Sequence, residues 1–144
     1  MIQPREWLLL FIGLPSGNYD TDQLRVMKGM FLFTKEGPAD VHNIYDFAPY
    51  DYGPFATAVY GDLDSLEGQG FIRTLYVMGT NQRVFELTST GEQQFRDLIG
   101  RAPKDALEIL GAIKELATSL SFADLLRHVY DKYPDYASRS LMNQ

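Results

Sequence analysis

No cysteine occurs in the 144 residues, which excludes disulfides, thiolate metal sites and cysteine nucleophiles together. Only two histidines are present, His42 and His128, too few for most transition-metal centres. Long hydrophobic runs are also missing. The longest, from Trp7 to Leu14, falls well short of the about 20 residues a spanning helix needs. It makes a poor export signal as well, because Glu6 offsets Arg5 and Pro15 follows the run. The expected location is the cytoplasm.

Catalytic signatures are absent too. There is no Gly-x-Ser-x-Gly, no phosphate loop and no His-x-x-x-His. Asp62 and Asp64 form an acidic pair, but two positions apart on a helix they point to different faces. The expectation is a protein that is not an enzyme and that holds no metal or cofactor.

Basic residues are missing from one long stretch. Between Glu36 and Ile72 there is no lysine or arginine, while Glu36, Asp40, Asp46, Asp51, Asp62, Asp64 and Glu67 all fall there. All 13 bases and the other 12 acids lie outside it, so the net charge of −6 is concentrated in this segment. What remains is ordinary: 45% hydrophobic and 22% charged residues, enough to build a core without staples.

The hydrophobic spacing predicts mostly helices. Pro4 suits a first turn, and Trp7, Leu8, Leu10, Phe11 and Leu14 repeat at helical intervals. Asp20 or Thr21 is placed to cap a second helix running to about Thr34, with Leu24, Met27 and Phe31 on one side and Arg25, Lys28 and Lys35 on the other. Residues 39 to 55 read as an irregular or short-strand connection rich in aromatics, prolines and glycine. Pro54 is expected to open a third helix carrying Phe55, Ala58, Val59, Leu63 and Leu66. Phe71 to Met78 and Arg83 to Leu87 read as a hairpin around Gly79-Thr80-Asn81-Gln82. Phe71, Leu75, Phe85 and Leu87 are its expected inward face. Thr88 or Ser89 caps a fourth helix, an amphipathic helix spans Ala106 to Leu120, and a further one begins at Ser121 and ends near Tyr133-Pro134. Ser138 to Met142 reads as a short docking tail.

Three helices, then one hairpin, then more helices describe an α+β, mostly α fold: a winged helix-turn-helix domain over residues 1–99, with a C-terminal helical extension over 103–144. Val84-Phe85-Glu86-Leu87-Thr88-Ser89-Thr90-Gly91 resembles the second wing strand of MarR- and PadR-type winged-helix regulators. The segments Phe47-Ala48-Pro49-Tyr50-Asp51-Tyr52-Gly53-Pro54-Phe55, Asp62-Leu63-Asp64-Ser65-Leu66 and Gly70-Phe71-Ile72 lie between Lys28-Gly29-Met30-Phe31-Leu32-Phe33 and Val129-Tyr130-Asp131-Lys132-Tyr133-Pro134-Asp135-Tyr136. Together they resemble the bacterial YwgA-like proteins and, more distantly, the Panacea domain of antitoxins. That resemblance implies the winged-helix fold and a context in bacterial regulation or defence; it carries over no catalytic residues.

Two modes of action follow. A winged helix normally sets its third helix in the DNA major groove, where phosphates and guanines require cationic or amide donors. Here that helix offers Asp62, Asp64 and Glu67 and no base, and such a surface repels DNA. The first expectation is therefore an adaptor acting through protein contacts at Tyr50, Asp51, Tyr52, Phe55, Asp62 and Asp64, with a homodimer formed through the C-terminal helices. The bland reading of the aromatic loop, favoured because aromatics dominate core burial, is a plug packed against the first and third helices. The alternative is a transcriptional regulator that contacts duplex DNA through Arg25, Lys28, Lys35, Arg73 and Arg83.

Overall fold

The computed structural model describes residues 1–141; Met142, assigned above to the docking tail, lies outside them. The fold is α+β and mostly helical, with six α-helices and two small antiparallel hairpins among the described residues. Helices α1 (Pro4–Gly13) and α2 (Gln23–Glu36) form its centre. Every residue from Trp7 to Ile12 and from Arg25 to Thr34 is buried. A helix that is apolar around its whole circumference needs neighbours on all sides. Strand β4 (Arg83–Leu87) and helices α3 (Thr57–Gly68), α4 (Ser89–Arg101) and α5 (Lys104–Ser119) contact α1, while α5, α6 (Phe122–Lys132) and β2 (Gly53–Phe55) contact α2.

After α2, a 3-10 turn (Ala39–Val41) leads to a short hairpin of β1 (Ala48–Tyr50) and β2 (Gly53–Phe55). Gly53 closes its turn at φ +94°, and a Cβ there would meet Leu126 at 2.7 Å and the Lys28 side chain at 3.2 Å. Only glycine satisfies both the backbone and the space. Helix α3 starts at Thr57, not at Pro54, because Pro54 is taken up in β2 opposite Pro49. It runs to Gly68 and buries Val59, Leu63 and Leu66, leaving Ala58 exposed rather than inward as expected.

Strands β3 (Ile72–Tyr76) and β4 (Arg83–Leu87) pair in register from Ile72 opposite Leu87 to Tyr76 opposite Arg83. Ile72 and Phe85 supply the buried contacts and Phe71 and Leu87 lie half-buried, but Leu75 points outward, correcting its assignment to the inner face. Leu75 alternates with Ile72 and Thr74, and the pleat sends it to the opposite side. A third short segment joins this hairpin: Phe85 N–H donates to the Thr21 carbonyl at 2.9 Å, and Asp22 bridges Val84.

Thr88 caps α4 (Ser89–Arg101) through the Gly91 N–H, and Ser121 caps α6 (Phe122–Lys132) through the Asp124 N–H. Between them, α5 (Lys104–Ser119) lays Ala106, Leu110, Ile113 and Ala117 into the same core as Leu8, Phe31 and Val59. The C-terminal helices thus complete the core begun by the first hundred residues. Because the α5 stripe is buried within the chain, it supplies no separate argument for a dimer. Among the described residues, no helix is long and apolar enough to cross a membrane.

Lys114 sits in the middle of that apolar stripe and is fully buried. Its ammonium donates to the carbonyls of Phe11, Ile12 and Leu14 at the end of α1, the latter two at 3.0 and 2.9 Å. These last-turn carbonyls have no partner inside their own helix. Lys114 therefore serves as a C-terminal cap delivered from a distant helix. Burial pulls its pKa down to about 7.

Candidate functional site

The residues singled out in the sequence gather around α3 and the β1–β2 hairpin, but they divide by role. Tyr50 and Tyr52 are both exposed. They point apart, Tyr50 stacking on Phe55 at 4.9 Å and Tyr52 lying 6.4 Å from Phe122 on α6. Phe47 and Phe55 turn inward, Phe47 packing edge-on against Phe31 at 5.4 Å. The loop is thus a plug on its inner side and a presented surface on its outer side. Asp51 is half-buried, and its carbonyl accepts the Leu141 N–H at 2.9 Å.

From Tyr50 a line of rings crosses the molecule. Arg139 lies 5.4 Å above Tyr50, Phe55 is 5.4 Å from Tyr60, and the Arg83 guanidinium is 5.3 Å from Tyr60 and 5.4 Å from Phe85. Arg83 Nε donates to Gln23 at 3.1 Å, and its other end approaches Asp64 at 4.0 Å. Tyr60 titrates above the usual tyrosine range because it is desolvated, with Arg83 pulling the other way. Tyr60 and Arg139 were not foreseen as part of this surface. The three- and five-residue spacing that brings Phe55, Tyr60 and the start of α3 together was the available signal.

The carboxylates of α3 also differ from one another. Asp62 is half-buried and accepts the Tyr45 hydroxyl at 2.5 Å. Desolvation and that bond drive the Tyr45 pKa far upward. Glu67 accepts the Thr74 hydroxyl across to β3. Asp64 remains 76% exposed in its side chain. The outward face of α3 therefore consists of Thr57, Ala58, Gly61, Asp64, Glu67 and Gly68.

The cations proposed for DNA contact are mostly spent elsewhere. Arg25 is 5% exposed, pairs with Asp22 at 2.6 Å, donates to the Leu120 carbonyl at 2.9 Å and lies over the Tyr19 ring. Lys28 is 3% exposed, and burial lowers its pKa to about 8 against the pull of Asp22. Neither lies on a solvated face, which corrects the sequence expectation: α5 and α6 cover the polar side of α2. Arg73 on the hairpin pairs with Glu86 at 3.0 Å. Lys35 is exposed but sits over Phe31 and Tyr136 at the far end of α2.

One concave surface lies apart from these residues. It is an open cleft of about 870 Å³ lined by Ile2, Trp7, Ile44 and Pro103, with Asp40 and Arg101 at its edge. The Arg101 guanidinium is already engaged by Asp97 at 3.0 Å and Glu6 at 3.4 Å. Among the described residues, no group of three or more histidine and carboxylate side chains gathers to hold a metal ion. In comparison with known proteins, the chain matches no family model and no curated sequence.

Proposed function

We propose that the chain is a non-enzymatic winged helix-turn-helix regulator or adaptor that works through protein contacts made by the outer face of α3 and the adjoining Tyr50 edge. The winged-helix reading is supported by the element order and by the Thr21–Asp22 segment, which adds a short strand between α1 and α2 to the β3–β4 wing. In this reading α3 is the helix that relatives of the fold would insert into DNA.

One observation carries the preference for protein over nucleic acid. Of the cations assigned to DNA contact, Arg25 and Lys28 are buried, Arg83 is held by Gln23 and Tyr60, and Arg73 pairs with Glu86, while Asp64 and Glu67 stay at the surface. Phosphate docking needs several free cations along one ridge, and charge of the wrong sign on the docking helix works against it. A partner with basic or neutral small-residue surface complements this face; tyrosines at its rim suit a protein interface.

The test is affinity capture from a lysate of the source cells with the wild-type chain, Asp64→Lys and Tyr50→Ala. Both substituted side chains are exposed, but Tyr50 also stacks on Phe55 and Asp64 lies 4.0 Å from Arg83, so the thermal melt of each variant is recorded alongside to show that it is folded. The reading requires one protein recovered by the wild type and lost with both variants. Equal recovery by all three refutes the assigned surface.

A further inference from the structure

We propose that the free edge of β3 is a self-association surface, pairing antiparallel with β3 of a second copy of this chain. This goes beyond the adaptor reading and does not depend on it.

The hydrogen-bond parity of the hairpin defines the edge. Val77 N–H donates to Gln82 at 3.0 Å and Thr88 N–H to Phe71 at 3.1 Å, in the same register that pairs Ile72 with Leu87. Residues 71, 73, 75 and 77 therefore turn their backbone groups toward β4, and 72, 74 and 76 turn theirs outward. Among the described residues, β3 pairs with no strand but β4, and the third short segment lies on the other side of β4. The backbone groups of Thr74 and Tyr76 are thus presented at an open edge, the kind that recruits another strand.

The side chains at this edge agree. Leu75, Tyr76, Val77 and Met78 are 45, 71, 42 and 96% exposed. They belong to an uninterrupted stretch, 74–82, without a single charged residue. Natural edge strands are normally guarded by lysine, proline or inward charge. Strand β3 has neither lysine nor proline; Arg73 near its start is paired with Glu86 on β4 at 3.0 Å, and no charged residue follows from Thr74 to Gln82. The occupant is a second copy because an antiparallel strand pair is two-fold symmetric: one patch meets itself, closing the contact at a dimer. The partner would also have to tolerate the same acidic surroundings, and a charge-free strip is where two like-charged molecules approach at least cost.

Parity further fixes the register. A two-fold axis at Thr74 would press together the two Glu67 carboxylates that hold the Thr74 hydroxyls. An axis at Leu75 avoids this and engages Thr74 of each copy with Tyr76 of the other, making four backbone hydrogen bonds. Leu75 then faces its own counterpart as a non-hydrogen-bonded pair, with Cα atoms about 4.5 Å apart. That separation lies within the range a disulfide spans, roughly 4.4–6.8 Å.

The absence of native cysteine makes the test direct. Leu75→Cys carries one thiol, and Gln93→Cys, exposed on α4, serves as the control. Under mild oxidation at about 100 μM, the disulfide-linked dimer of Leu75→Cys should form at least about tenfold faster than that of Gln93→Cys, and the wild-type mass by light scattering should rise above 16.4 kDa with concentration. Leu75→Lys should hold the mass at one chain with its circular dichroism unchanged. The proposal is overturned if the wild type remains one chain at that concentration, if the two thiols cross-link equally fast, or if Leu75→Lys dimerises like the wild type.

Discussion

Replacing Lys114 by methionine isolates the buried cap of α1. The substitution keeps the volume but removes the donor to the Phe11, Ile12 and Leu14 carbonyls. Leaving a buried acceptor unpaired costs about 1–3 kcal/mol, so three of them set an upper loss of several kcal/mol. Against this, methionine avoids the desolvation that lowers Lys114 from 10.5 to about 7. At about 1.4 kcal/mol per pKa unit, that desolvation is worth about 5 kcal/mol. The two terms nearly cancel at neutral pH, and the pH dependence distinguishes them. Between pH 7 and 10.5 the unfolded lysine binds a proton that the folded one has lost, so wild-type stability rises with pH across that window. The variant lacks this titration. The unfolding free energy of the wild type minus that of Lys114→Met should therefore increase by about 3 kcal/mol from pH 7 to 9.5. Lys28 cancels in the difference, since both proteins retain it. Urea unfolding followed by circular dichroism at several pH values measures this directly. Parallel profiles for the two proteins would refute the assignment of a buried, proton-shedding Lys114.

Three further outcomes follow from local geometry. Asp22→Ala removes both the cap of α2 and the partner of buried Arg25, and should lower the unfolding free energy by about 3–5 kcal/mol in chemical denaturation. Tyr45→Phe deletes the hydroxyl that Asp62 accepts and should cost about 1–2 kcal/mol by the same method, whereas an Asp62 acting only at a partner surface would leave stability untouched. Gly61→Ala adds a methyl where nothing lies within 4 Å, so it should raise thermal stability by about 0.5–1 kcal/mol. The same methyl stands on the proposed contact face of α3 and should weaken capture of the partner while the melting temperature goes up.

The elements that local chemistry controls were legible in the sequence. The β4 boundaries, the Thr88 and Ser121 caps and the end of α3 near Gly68 all follow from turn and capping residues close in sequence. Pro54 misled because its fixed φ suits a first helical turn and a short edge strand alike. The larger error concerned Arg25 and Lys28. A polar stripe on a helix ordinarily faces water, but here residues nearly a hundred positions away close over it, as in the bond from Arg25 to Leu120. No local periodicity carries that information. Two clues were nonetheless present: Asp22 three residues before Arg25, and Lys114 embedded among Leu110, Ile113 and Ala117. A lysine within an apolar stripe marks a buried cation that needs acceptors. At the candidate site, the tyrosines and the acids of α3 could be read, but not that Asp62 would accept the Tyr45 hydroxyl while Asp64 stayed exposed, 4.0 Å from Arg83.

Titration of a labelled mixed-sequence duplex by fluorescence anisotropy, at about 50 mM salt where counterion release most favours binding, tests the assignment of α3 to protein contact most directly. With Arg25 and Lys28 buried, Arg73 and Arg83 paired, and carboxylates on the outer face of α3, the chain should leave anisotropy flat up to tens of micromolar protein. Saturable binding below a micromolar, falling steeply as salt is raised and abolished by Arg73→Glu, would contradict the account.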